Sequence, residues 1–288
     1  MKIKISTGEK VFRVFNYIIL TILALLCLYP FWHVAMASFS GELAIYTHQG
    51  LFLWPKDFNL EGYKKVLANE NLWSGYFNTF ILLLIGIPFG VLITSLGAYF
   101  LSRKGMLFKK PILFMVLIPM YFGGGIIPSY LNLKNLGLAG TLVGVTLITT
   151  IHVYYIIILR TAFSSIPESL YDAARIDGAS HMQTLVKVVL PLAKASLAVI
   201  AMYYGMNIWN GWFWASSTLR NKKQFPLQVV LRNMLLEGDM GGGADVDVKT
   251  IESLKYGTIV ISVVPVLFLY PMLQKFFTKG VMIGAVKE

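Results

Sequence analysis

The charge in this chain is confined to short segments, and long runs between them carry none. The charge-free runs are roughly Val14–Phe39, Leu72–Ser102, Pro111–Leu133, Asn135–Leu159, Ala195–Leu219 and Tyr256–Gln274. Each is near or above the roughly 20 apolar residues that carry a helix across a bilayer. Hydrocarbon offers the backbone no hydrogen-bond partners, so a segment that enters it must satisfy its own groups and becomes a helix. The runs therefore predict an all-α integral membrane protein with six transmembrane helices. Composition agrees, because charged residues are 14 % of the chain against about 25 % in soluble domains. The first run is too long for a signal-peptide core, and no small-residue cleavage pattern follows it, so it is expected to be retained. Cys27 is the one cysteine and lies in that run. No intrachain disulfide and no cysteine metal site can form.

The net charge of +11 invites a nucleic-acid reading, but its distribution argues against one. With the N-terminus placed in the cytoplasm, the inner segments hold 15 of the 25 basic residues and five of the 14 acidic ones. The excess positive charge falls almost entirely on one side. That is the bias that orients membrane proteins, and it puts both termini in the cytoplasm. The chain then divides into a cytoplasmic tail (1–13), a first span with a long outer segment (14–71), the remaining five spans (72–275) and a second cytoplasmic tail (276–288). Gly86, Pro88 and Gly90 are expected to kink the second span. In the third span Pro119, Gly123, Gly124, Gly125 and Pro128 should break the helix near the outer face. Such a break serves either a stretch of pathway where backbone meets solute or a tight bend for close packing.

Between the fourth and fifth runs lies a polar helix-turn-helix, Ser165 to Pro191. Ser165-x-x-Glu168 reads as a capping box with Pro167 in the first turn. A helix of about one dozen residues follows, with small Ala173 and Ala174, and Gly178 is placed to end it. Ser180-x-x-Gln183 reads as a second capping box, and Pro191 should bend the entry to the fifth span. A capped, charged helix between two spans points to a soluble partner that grips it.

Asp172-Ala173-Ala174, Asp177-Gly178-Ala179 and Leu190-Pro191 resemble the "EAA loop" of binding-protein-dependent ABC importers. The family pattern is Glu-Ala-Ala, three residues, Gly, nine residues, Ile-x-Leu-Pro. Asp172 stands here for Glu and Val188 for Ile. The resemblance implies the type I ABC importer permease fold over 72–275 and a permease subunit forming half of a translocation pathway. It also implies a coupling helix (Glu168, Asp172, Ala173, Ala174, Asp177, Gly178, Ala179, Pro191) seated on a cytoplasmic ATPase. The ending is similar to that of the smaller permease of maltose-type importers, so Gly284, Ala285 and Lys287 are expected at the ATPase interface. The Pro119–Pro128 segment together with this tail is similar to a subgroup handling larger or acidic oligosaccharides, such as alginate or pectin fragments. The implied partners are a second permease, two ATPase subunits that bind ATP and magnesium, an extracytoplasmic binding protein, a carbohydrate and the bacterial inner membrane. No cofactor is implied on this chain.

Trp209, Trp212 and neighbouring aromatic residues near the outer end of the fifth span suit either sugar stacking or an interfacial aromatic belt. With Asn207, Asn210 and Gly123–Gly125 they are the candidates for the substrate pathway. Gly241, Gly242 and Gly243 in the last outer loop are the candidates for contact with the binding protein. Asp239, Asp245 and Asp247 lack calcium-loop spacing, and the four histidines are scattered. No nucleotide-binding phosphate loop and no catalytic constellation is present, so the chain is expected to be non-catalytic. The alternative reading is a stand-alone channel or membrane enzyme with a regulatory loop. It needs intramembrane charged residues, which the spans lack.

Overall fold

The computed structural model describes residues 6–239 and 252–268. Among them every regular element is helical, apart from an isolated antiparallel bridge between Ser40 and Phe58. The chain packs as two compact units, Met1–Asn69 with Leu231–Val264, and Glu70–Val230 with Pro265–Glu288.

In the first unit, α1 spans Thr7–Ser38 and is exposed as far as Leu28, becoming half-buried from His33 and buried at Ala37 and Ser38. The following segment folds back on that end instead of running free. The Asn59 amide donates to the Phe39 carbonyl at 2.9 Å, and Phe39 stacks on Phe58 with ring centroids 6.0 Å apart. Two short helices, α2 (Glu42–Thr47) and α3 (Glu61–Leu67), complete it. Gly62 allows α3 to lie against the backbone of Ser253, since a Cβ there would sit 2.6 Å from the Ser253 carbonyl oxygen.

The second unit is built on α4, Glu70–Ser102, which runs as one helix through Gly86, Pro88 and Gly90. The glycines act as contact seats. A Cβ at Gly90 would come within 2.8 Å of the Tyr204 ring, and the buried Thr94 and Tyr204 hydroxyls share a 2.6 Å hydrogen bond. Further along, α5 (Lys109–Tyr121) and α6 (Ile126–Asn135) meet at 110°. The expected break is therefore present. Gly125 sits at φ 88°, ψ 172°, a region open essentially to glycine alone. Next come α7 (Leu142–Thr150) and α8 (Val153–Ser164), bent by 52°. This second break has no glycine or proline at it, so no local signal announces it.

The polar segment follows as α9 (Glu168–Ile176), α10 (His181–Thr184), a π-helical turn at Leu185–Val189 and α11 (Leu190–Leu192). The next helices are α12 (Lys194–Asn210), α13 (Phe213–Thr218) and α14 (Leu227–Asp239). The last described helix, α15, covers 252–268. The region read as an outer loop thus contains a helix, α14, whose buried Leu227 and Val229 pay no heed to its polar surroundings in sequence. Its N-terminal amide, Leu227 N, donates to Thr79 Oγ1 of α4 at 2.8 Å. Among the described residues, two helices span a membrane's thickness unbroken and three bent pairs could each form one span. The sixth run lies only partly within the described residues.

Candidate functional site

The polar helix-turn-helix is built differently at its start from the sequence expectation. Ser165 has helical dihedrals and closes α8, and its hydroxyl donates to the Ala162 carbonyl at 2.7 Å. It therefore cannot adopt the extended backbone of an N-cap. Pro167 takes that position, with ψ 134°, and Glu168 opens a helix of nine residues rather than a dozen. The far end matches expectation. Gly178 adopts φ 75°, its amide bonds Arg175, and the Ala179 amide bonds the Ala174 carbonyl at 2.9 Å. This pair of bonds is a Schellman closure, which satisfies the last carbonyls of the helix. The Ser180–Gln183 capping box is complete, with reciprocal bonds of 2.8 and 3.3 Å. Beyond Pro191 the chain turns by 88° between His181–Leu192 and Lys194–Asn210.

One face of α9 is fixed to the bundle. Tyr171 and Ala174 are buried, three residues apart, as a helix face requires. The Tyr171 hydroxyl donates to the Phe163 carbonyl of α8 at 3.1 Å. The Arg103 guanidinium, at the end of α4, lies 3.8 Å from the centre of the Tyr171 ring. The same guanidinium reaches the Glu168 carboxylate at 3.0 Å, and Lys104 approaches it at 3.8 Å. Burial pushes the Tyr171 phenol above its ordinary value, outweighing the opposing pull of Arg103. The anchor is thus a neutral ring under a cation throughout the neutral pH range.

The other face is free. Asp172, Ala173, Ile176, Asp177, Gly178 and Pro191 are exposed, and Ala179 is half-buried. Ile176 is 86 % exposed, a large apolar side chain that the fold itself does not cover. The result is a short strut, clamped to two spans on one side and presenting a small, mixed surface on the other. It holds no catalytic arrangement.

The pathway candidates separate into two places. Asn207 reaches from α12 to the break between α7 and α8. Its side-chain amide donates to the Thr149 carbonyl at 3.0 Å and meets His152 Nε2 at 2.7 Å. Trp209 stands near Tyr76, with centroids 6.4 Å apart. With Phe77, Phe80, Leu83 and Pro265 these two line an open apolar pocket of about 420 Å³. Asn210 is exposed and donates to the Met206 carbonyl, and Trp212 packs edge-on against Phe213. No atom lies within 4 Å of a Cβ built at Gly123 or Gly124, so that turn is separate from the Asn207 cluster. Gly241, Gly242, Gly243, Gly284, Ala285 and Lys287 lie outside the described residues.

Sequence reasoning missed Arg103, Tyr171, Thr149 and His152. Arg103 counted only as one of several inner charges, and nothing local ties it to Glu168. His152 stood as a scattered histidine, because its partner Asn207 is 55 residues away.

The family described as "Binding-protein-dependent transport system inner membrane component" matches residues 66–283. The polygalacturonan/rhamnogalacturonan transport system permease protein YtcP of Bacillus subtilis (strain 168) is 32 % identical over 284 residues, covering 97 % of this chain and 99 % of the relative. The diacetylchitobiose uptake system permease protein NgcG of Streptomyces coelicolor is 25 % identical over 279 residues, covering 94 % of this chain and 87 % of the relative. One chain in a crystal structure of a bacterial ABC transporter involved in the import of the acidic polysaccharide alginate matches with a TM-score of 0.85 and 33 % identity, over 94 % of this chain and 98 % of that one. This chain belongs to the family of binding-protein-dependent transport system inner membrane components, the non-catalytic permease subunits of ABC importers.

Proposed function

We propose that this chain is one of the paired permeases of a carbohydrate importer whose cargo is an oligosaccharide of acidic sugars. Relatives named for polygalacturonan/rhamnogalacturonan and alginate transport, at 32 % and 33 % identity over nearly the full length, support the cargo class. A second, related permease completes the pathway, and an extracytoplasmic binding protein delivers the sugar. Two cytoplasmic ATPases bind ATP and magnesium and grip α9. Both chain ends lie in the cytoplasm, and the C-terminal Gly284, Ala285 and Lys287 meet the ATPase pair. The 72–275 segment is the transport core. Gly241–Gly243 face the binding protein, and Asn207, Trp209, Asn210 and Trp212 line or support the sugar's route.

The observation that carries this reading is the two-sided construction of α9. Arg103 and Tyr171 transmit movement of the helix into α4 and α8, while Ile176, Ala173 and Asp172 remain open to a partner. A rigid strut fixed to two spans converts closure of a partner into motion of those spans. The test is Gly178→Asp in the reconstituted importer. At φ 75° the new side chain is strained although it has open space, and it adds charge beside the docking face. Uptake is expected to fall at least tenfold with ATP hydrolysis retained or weakened, while the complex still assembles. Wild-type uptake would remove α9 as the coupling element. Competition of labelled uptake by uronic-acid oligosaccharides, and failure of neutral ones to compete, tests the cargo.

A further inference from the structure

The short turn between α4 and α5 gathers more positive charge than the fold neutralises. Arg103 and Lys104 come from the turn, Lys109 and Lys110 open α5, and Arg160 joins from α8. Arg160 Nε donates to the Leu101 carbonyl at 3.2 Å and Lys109 Nζ to the Arg103 carbonyl at 2.8 Å. These bonds hold both cations at one end of α4. Burial weighs on the Lys109 cation, as do the like charges of Arg160, Arg103 and Lys104, and Glu168 opposes them. Glu168 is already shared between Arg103 and Lys104.

Beside the cations stand two uncovered apolar side chains. Leu107 is 81 % and Phe108 75 % exposed. Phe108 is held in the left-handed region at φ 57°, a conformation that costs a non-glycine residue energy and that the turn nonetheless keeps. A basic cluster flanked by bare hydrophobic residues, at the end of a membrane-length helix, matches an interface where headgroup phosphates meet acyl chains.

We infer that the α4–α5 turn is a binding site for an anionic phospholipid. Its phosphate sits between Lys104, Lys109, Lys110 and Arg160, and Leu107 and Phe108 enter the acyl boundary. The exposed apolar pair favours lipid over the other polyanion within reach, an acidic protein surface. Bound lipid would also steady Arg103, the residue that clamps α9. The inference rests on the turn lying at a membrane surface and is independent of the cargo.

The test uses the importer complex purified in mild detergent and reconstituted into vesicles of equal parts phosphatidylcholine and phosphatidylglycerol. Lipid retained after re-extraction is measured by mass spectrometry. The wild-type complex is expected to retain phosphatidylglycerol in preference to phosphatidylcholine, and excess inorganic phosphate should not displace it. The double variant Lys104→Gln/Lys110→Gln should lose the preference by about 25-fold, on the basis of about fivefold per removed surface charge. The control Lys222→Gln/Lys223→Gln should keep it. No preference in the wild type, or an unchanged preference in the double variant, overturns the inference. Unchanged lipid retention with loss of the ATPase subunits would identify a protein surface as the partner instead. Displacement by inorganic phosphate would reduce the site to one for a free anion.

Discussion

Gly90 shows how one residue type serves the membrane core of this chain. The missing side chain lets the Tyr204 ring lie on α4, and that approach brings the Tyr204 hydroxyl to Thr94. In lipid, van der Waals packing and interhelical hydrogen bonds replace the hydrophobic drive that water supplies elsewhere. Gly90→Ala should force the ring away and break the buried hydrogen bond. A loss of about 1–3 kcal/mol is expected for such overpacking, read as a lowered thermal transition in detergent. An unchanged transition would show that Tyr204 has room to retreat. Glu168 is a different case, since its partner Arg103 also rests on Tyr171. Glu168→Gln removes a partly exposed ion pair, for which about 0–1 kcal/mol is usual, while the cation–ring contact remains. The thermal transition should hardly move, yet sugar transported per ATP should fall, because α9 is left less firmly tied to α4. Unaltered coupling would show that Tyr171 alone suffices as the clamp.

At the scale of elements, the broken helices are informative. The α5–α6 break was expected because glycine and proline crowd it, and Gly125 adopts the backbone that only glycine takes readily. The α7–α8 break has no such local cause. It is closed from outside by the Asn207 amide, which occupies the Thr149 carbonyl left open at the end of α7. An unpaired carbonyl in a low-dielectric interior costs about 1–3 kcal/mol. Asn207→Leu should therefore destabilise by about that amount and alter the accessibility of cysteines placed on α8. Full stability in this variant would mean that His152 Nε2, 2.9 Å from the same carbonyl, serves alone.

For the whole molecule, the charge distribution makes one prediction about orientation. In a Cys27→Ser background, Lys222→Cys should react with a membrane-impermeant maleimide in intact cells. Arg175→Cys should react only after the membrane is opened. The reverse pattern would invert the assignment of cytoplasmic ends and move α9 away from any cytosolic ATPase. The first unit adds a surface of another kind. Most residues of α1 are exposed in the isolated chain, as expected of a helix whose surroundings are lipid.

The helical class, the membrane location and the outline of the polar segment were legible in the sequence because each rests on local physics. Long charge-free runs must become helices in lipid. Gly178 and the Ser180–Gln183 pair close and open their helices through bonds made within a few residues. The two capping boxes show where local reading stops. Both have the right letters, but Ser165 is consumed by the end of α8 and Ser180 is not. α14 was hidden because its burial comes from contacts with a helix about 150 residues earlier, including the Thr79 bond to Leu227. The Arg103–Tyr171–Glu168 clamp and the Asn207–Thr149 closure likewise join residues far apart in the chain. The sequence determined the helical class and the polar character of the open face of α9. Only the tertiary structure decided what holds that face in place, because those contacts exist only once distant helices are packed together.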